Sequence, residues 1–289
     1  MAVLYEYHSD LLYYHHSIDE SPDVKSFSLH AHEQMEILLF ISGHGKFFIE
    51  GVEYPLHPYD LAIIRSAETH RLILEPGTPY ERVAIHFPSN IFDALDPQQH
   101  LLRPFLNRPL GRGNLFPSSQ FPDARWHSAL LNHSYADSKE VHTHVLAMLL
   151  TILPELCDAF DQKNNQELPT QGLAAQIVTF VNAHLFEQIS IQRISETFYC
   201  SPSHVSRIFR QATGSSLWDY ILLKRLLAAR ALLQRGEPSG KACTACGFKD
   251  YSSFFRAYKA RFGHAPKFDR LPGSSDSLPY TDYALQDLQ

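Results

Sequence analysis

Two histidines and a glutamate stand close together at the front of an apolar run in LHAHEQMEILLF (29–40). In an extended chain alternate side chains share a face, so His30 and His32 point together, and Glu36 joins them if the strand runs on regularly. His70, which follows the segment DLAIIRSAET, falls on a neighbouring strand and can complete the cluster. Three imidazoles and a carboxylate suit Zn, Fe, Mn or Ni. The same groups in a barrel mouth hold an organic effector by hydrogen bonds with no metal, and a third reading gives them a purely structural role. His44, His57 and His86 are assigned to turns or the surface. Cys243 and Cys246, spaced as Cys-x-x-Cys, have no second Cys/His pair at ligand spacing, so they are read as small packing residues.

A second group of chemistry-bearing residues occurs twice. SPSHVSRIFRQATG (201–214) aligns with DYSSFFRAYKARFG (250–263) at a shift of 49, with Ser203 over Ser252, Arg207 over Arg256, Arg210 over Lys259 and Gly214 over Gly263. Each copy opens on a capping residue, Ser201 before Pro202 or Asp250, and stops at a glycine. Each follows a short helix and a tight turn, which makes two helix-turn-helix units. Arginine can take both acceptors of guanine and serine can meet several base edges, while Arg210 and Lys259 further along face phosphates. Val205, Ile208, Phe209, Phe254, Tyr258 and Phe262 recur at helical spacing and are read as core. Between the copies Ser216-x-x-Asp219 opens a long helix over about 217–235, roughly 28 Å at about 1.5 Å per residue, close to the roughly 34 Å between successive major-groove faces.

Charge agrees with this division. The chain carries −6 overall, yet residues 168–272 hold 14 Lys+Arg against 6 Asp+Glu, a balance of +8, while the rest hold 11 against 25, a balance of −14. A basic module on an acidic body points to nucleic acid as partner. No basic segment followed by a long apolar one opens the chain, and its most apolar stretch, Val145 to Leu153, is far shorter than the roughly 20 residues of a membrane helix. A cytoplasmic protein with no membrane partner is expected.

Around these residues the elements read as follows. Short runs at Glu36–Ile41, Lys46–Glu50, Leu61–Arg65, His70–Leu74 and Arg82–Phe87, punctuated by Gly, Pro and Asp, predict strands of a barrel or sandwich. Tyr5, Tyr7, Tyr13 and Tyr14 precede them, either as an arm over a ligand or as core. Asp123–His133 and Lys139–Phe160 read as helices, the second with an apolar stripe of Val141, Val145, Met148, Leu149, Ile152 and Leu156 for its own barrel or for a dimer seam. The fold expected is α+β and multidomain. Residues 1–95 form a β-barrel domain; 96–160 are connecting segment and helices, with dimerisation a second use; 161–172 are the linker; 173–272 are an all-α domain with two helix-turn-helix motifs joined by a long helix; 273–289 are a disordered tail.

Residues 173–272, through ISETFYCSPSHVSRIFRQATG, YILLKRLLAARALL and CGFKDYSSFFRAYKARFGHAPKFDR, resemble the DNA-binding domain of the AraC/XylS family of bacterial transcription regulators. The resemblance implies base contacts from Ser203, Ser206 and Arg207 in the first unit and from Tyr251, Ser252, Phe255 and Arg256 in the second. The helix before Gly247 departs from the pattern, carrying Ser239, Gly240, Ala242 and Cys243 in place of large aliphatics. His30-x-His32-x3-Glu36-x6-Gly43 with His70 resembles the two cupin motifs and is similar to the sensing barrel of many such regulators, although Asp60 and Arg65 replace a usual glycine and proline. What the resemblance implies is a regulator of transcription, not an enzyme, with no catalytic residue and no cofactor. Its partners would be double-stranded DNA at a promoter or operator, a small effector of carbohydrate type, RNA polymerase if it activates, and a second copy of itself. The competing reading is a metal-dependent cupin enzyme, a dioxygenase or sugar isomerase, with a helical accessory domain; a catalytic barrel gives no reason for a duplicated reading helix.

Overall fold

The computed structural model describes residues 2–22, 28–121, 126–132, 139–163 and 172–270. Its strands are β1 (Ala2–His8), β2 (Tyr13–Asp19), β3 (Met35–Ser42), β4 (Gly45–Ile49), β5 (Val52–Leu56), β6 (Asp60–Ile64), β7 (His70–Leu74), β8 (Tyr80–Phe87) and β9 (Leu115–Phe116). They pair antiparallel in two sheets, ordered β1-β2-β8-β3-β6-β9 and β5-β4-β7. α1 (Arg103–Leu106), α2 (Trp126–Leu131) and α3 (Val141–Lys163) follow.

β3 is covered on both faces, which is why its sequence is nearly unbroken apolar. Ile37, Leu39 and Ile41, with Ile63, Val83, Ile85 and Phe87, pack under α3 and receive its Val145, Met148, Leu149, Ile152 and Leu156. Leu38 and Phe40 turn the other way, toward Phe47, Ile49, Leu72 and Tyr80 between the sheets. The apolar stripe of α3 is therefore spent on the molecule's own sheet. By length and composition α3 could cross a membrane, but half of that stretch is buried inside the fold.

The sheet begins earlier than the run of short strands predicts. Tyr5 and Tyr7 lie on β1, and Tyr13 and Tyr14 on β2, which pairs with β8. Tyr14 is buried in the core and donates to the Leu130 carbonyl, so these tyrosines build sheet instead of an arm. The mixed run YYHHSID hides its alternation because both faces of β2 are buried. The helix expected over 123–133 is described over Trp126–Leu131, and α3 continues to Lys163, past the start expected for the linker. Residues 164–171 and the 273–289 tail lie outside the described residues.

The second half is α4 (Leu173–Ala183), α5 (Ile191–Phe198), α6 (Pro202–Thr213), α7 (Leu217–Gln234), α8 (Ser239–Ala245) and α9 (Tyr251–Phe262). α7 serves two cores. Leu217, Tyr220 and Ile221 close the α4–α6 core with Val205 and Phe209; Leu223, Leu226, Leu227 and Leu233 close the α8–α9 core with Phe254, Tyr258 and Phe262. Cys243 and Cys246 are buried in the latter, and burial pushes the Cys246 thiol up to about 11, away from the reactive thiolate.

Candidate functional site

The duplicated segments fold into capped helices that follow short helices across tight turns. The Ser201 hydroxyl accepts from the His204 amide at 3.3 Å with Pro202 in the first turn, and Gly214 ends α6 at φ +77°. The Asp250 carboxylate accepts from the Ser253 amide at 2.7 Å, and Gly263 ends α9 at φ +76°. Ser203, Ser206, Arg207 and Arg210 are exposed on α6; Tyr251, Ser252, Arg256 and Lys259 are exposed on α9, with Phe255 half-buried beside them. Val205 and Phe209, and Phe254 and Tyr258, are buried on the opposite faces. The Arg207 guanidinium donates to His204 Nδ1 at 3.0 Å, an exposed partner that a DNA contact can replace.

Arg225 on α7 fixes the two units to one another. Its guanidinium donates to the Leu185 and Glu187 carbonyls of the first unit at 2.8 and 2.7 Å, and to the Gly247 carbonyl of the second at 2.8 Å. Gly247 is left-handed at φ +78°, and a Cβ there would lie 2.6 Å from the Phe186 carbonyl oxygen, so only glycine lets the turns close. No local pattern marks Arg225, because its partners are backbone carbonyls on either side of the long helix.

In the first half His32, Glu36, His70 and His86 converge on the inner face. Glu36 Oε2 lies 3.0 Å from His32 Nε2 and 3.2 Å from His70 Nε2, and Glu36 Oε1 lies 3.7 Å from His86 Nε2. Donor atoms of His32, Glu36 and His86 lie within 4.8 Å of one another, the spacing of a metal ligand set. Burial alone would raise the Glu36 carboxyl, but the imidazoles of His86, His32 and His70 outweigh it and hold the group well below the usual carboxylate range. His30 stands apart from the carboxylate: its Nδ1 is 3.0 Å from the Ser28 carbonyl and its ring meets His70 edge to face, with centroids 4.1 Å apart.

His86 corrects the sequence reading, which placed it in a turn or at the surface. It is 1 % exposed, near the end of β8 and directly opposite Glu36 across the β3–β8 ladder. Val83, Ile85 and Phe87 face α3, so alternation sends His86 to the inner face; that count along RVAIHF was the signal available.

The two halves meet through named side chains. Leu29, Ala31 and Glu33 alternate with His30 and His32 and point the opposite way. Leu29 is buried in the α4–α6 core and Ala31 in the α8–α9 core, while Glu33 pairs with Arg230 at 3.3 Å and Gln234 at 3.2 Å. Glu50, at the β4–β5 turn, is 2 % exposed. Its carboxylate accepts from the Thr69 amide at 2.7 Å, Asn182 Nδ2 at 2.7 Å, the Lys224 ammonium at 2.8 Å and the Tyr220 hydroxyl. Gly51, left-handed at φ +76°, packs so closely on α4 that a Cβ would lie 2.7 Å from Val178 Cγ2. Arg71 on β7 donates to the Gln211 carbonyl at the end of α6. Beside these contacts a cavity of about 810 Å³ separates β4–β5 from α4 and α6, with Phe48, Tyr54, Arg112, Leu173, His204 and Ile208 among its walls.

A barrel of two sheets, closed on its inner face by a histidine cluster and joined to paired helix-turn-helix units, defines a ligand-binding half attached to a DNA-binding half. A profile of the AraC-like ligand binding domain matches residues 17–177, and one described as a helix-turn-helix domain matches 194–270. The chain belongs to the AraC family of transcription regulators. It is 24% identical over 249 residues to the probable transcriptional regulator LumQ of Photobacterium leiognathi, covering 84% of this chain and 91% of that one. It is 33% identical over 100 residues to the uncharacterized HTH-type transcriptional regulator YobQ of Bacillus subtilis, covering 34% and 42%. The crystal structure of the DNA-binding domain of AdpA in complex with a target DNA shares 26% identity, covering 35% of this chain and 91% of that one, at a TM-score of 0.33. The protein is a DNA-binding regulator with a ligand-binding N-terminal domain, not an enzyme.

Proposed function

We propose that this regulator reads its operator with Ser203, Ser206 and Arg207 of α6 and with Tyr251, Ser252, Phe255 and Arg256 of α9, Arg210 and Lys259 meeting phosphates, in response to a ligand held by its first half. The observation that carries the reading is the pair of capped helices whose exposed faces bear these side chains at the two ends of α7. α7 is 18 residues long, about 27 Å, so the two readers suit adjacent major-groove faces of one duplex. Arg225 holds their spacing, which favours a fixed two-part site.

The effector is of carbohydrate type or a related small metabolite, the class the family resemblance implies. The cavity against α6 has room for it and mixes aromatic walls with Arg112, His204 and Gln211. His30, His32, Glu36 and His70 take part as the polar group behind the seam. Because His30 and His32 alternate with Leu29, Ala31 and Glu33, ligand that shifts this segment also shifts its anchors in both DNA-reading cores. A ligand need only favour the arrangement that suits the operator. A promoter-bound activator of this kind would touch RNA polymerase, a second copy would occupy a second half-site, and the place of action is the cytoplasm.

The test is selection of bound sequences from random duplexes by the full chain, followed by gel shift with Arg207→Glu and Arg256→Glu. Each reversal is expected to abolish sequence-specific binding while circular dichroism is unchanged, since both side chains are exposed. Specific binding retained by both variants overturns the assignment.

A further inference from the structure

The cluster on the inner face is built for a cation. His32 Nδ1 faces the Gln34 carbonyl at 2.9 Å, and His70 Nδ1 faces the Glu68 carbonyl at 2.9 Å. A carbonyl only accepts, so each Nδ1 carries the ring proton and a neutral ring presents a lone pair at Nε2. Those lone pairs are aimed at a carboxylate oxygen, 3.0 Å from His32 and 3.2 Å from His70. Acceptor facing acceptor in a buried site is unfavourable. A cation lying among the donors meets these lone pairs and the carboxylate together.

We propose that His32 Nε2, the Glu36 carboxylate and His86 Nε2 bind one divalent first-row transition-metal ion, of the zinc, cobalt or iron(II) type. The distances favour it. Ligand atoms about 2.1 Å from a tetrahedral ion are about 3.4 Å apart, and the contacts of Glu36 with His32 and His86, at 3.0 and 3.7 Å, bracket that separation. Two nitrogens and one carboxylate are donors these ions accept, with a position left for a further oxygen. The outer contacts are those of a ligand set: the Nδ1–H of His32 donates to a backbone carbonyl, and His70, oriented by its own Nδ1–H on the Glu68 carbonyl, turns its Nε2 lone pair toward the same cation, 3.2 Å from Glu36 Oε2. Phe47 against His70 and Tyr13 against His86 close the site. His30, whose ring faces Ser28 and His70, is outside the set.

The proposal takes from the family only that this half binds a ligand, and it is read without DNA, so its failure and that of the operator reading are separate results. Untagged full-length protein, stripped with chelator, is titrated with Co²⁺ and with Zn²⁺, following visible absorption, bound metal by mass spectrometry and melting temperature. One equivalent of Co²⁺ is expected, with d–d bands, no sulfur charge-transfer band and a raised melting temperature. Glu36→Gln and His86→Gln should abolish binding, His70→Gln should weaken it about 10–100-fold, and His30→Gln should retain it. Variants that fail to fold are replaced by Glu36→Asp, which keeps the charge and should still bind, more weakly. No bound metal in the wild type overturns the proposal, as does a sulfur band, which would move the ion to Cys243 and Cys246, or equal loss in His30→Gln and His86→Gln.

Discussion

Replacing Glu50 by alanine should break the seam between the two halves. The Glu50 carboxylate and the Lys224 ammonium, 2.8 Å apart with side chains 1% and 7% exposed, are both removed from water. Deleting one partner leaves the other as a buried uncompensated charge, which costs about 3–5 kcal/mol. Lys224 keeps its bond to the Ala67 carbonyl at 2.7 Å, and Tyr220, Asn182 and Thr69 lose an acceptor. These losses are coupled, so the expected total stays near that range, about a 100- to several-thousandfold shift away from the docked state at about 1.4 kcal/mol per factor of ten. The cost cannot exceed the free energy of undocking, because separation restores water to Lys224. Amide exchange should therefore quicken around Leu29–Ala31 and the first turns of α7 before the barrel loosens. In Glu50→Ala/Lys224→Met the stranded charge is gone, so the double variant should be more stable than Glu50→Ala, with a coupling energy of about 1 kcal/mol or more by urea denaturation. A coupling below about 0.5 kcal/mol, or Glu50→Ala with unchanged exchange at the seam, would refute the reasoning.

Three further outcomes are expected. Glu68 is fully buried against Arg108, at 2.7 and 2.8 Å; burial raises its carboxyl, but Arg108 and the Gly111 and Arg65 amides bring it from 4.5 down to about 2. A folded value below the unfolded one gives stability that is complete above about pH 4.5 and is lost as pH falls toward 2, so the urea-measured gap between wild type and Glu68→Gln should narrow over that window; a constant gap contradicts it. Asp250→Ala removes the cap of α9 and should cost about 1 kcal/mol, with specific DNA affinity falling more than barrel stability; an unchanged melt and affinity would count against the cap. Operator affinity should fall steeply and linearly on a log–log plot against salt, because Arg210 and Lys259 release counterions from phosphates, and a flat plot would contradict the basic face.

How much was legible followed the range of each signal. The reading helices were written locally: cap, spacing and stop lie within 14 residues in SPSHVSRIFRQATG and again in DYSSFFRAYKARFG, and the structure places each cap and glycine stop where the pattern puts it. His32 and Glu36 were found in one short segment and His70 at the head of a predicted neighbouring strand, whereas His86 was missed because β8 is buried on both faces and its alternation alone does not show which face is inner. Glu50 was read as the last residue of the Lys46–Glu50 strand; nothing at the end of a hairpin strand announces that its carboxylate will enter another half of the chain.

By itself the sequence determined the elements, the duplicated DNA-reading helices and the division of charge, since these arise from periodicity, capping and composition over a few turns. Only the tertiary structure decided that the segment carrying His30 and His32 also anchors both DNA-reading cores, that Arg225 locks the readers together, and that Glu50 meets Tyr220 and Lys224 some 170 residues away. Such contacts are set by which buried polar groups must find partners once the cores close, a constraint that acts through space and leaves no periodic trace along the chain.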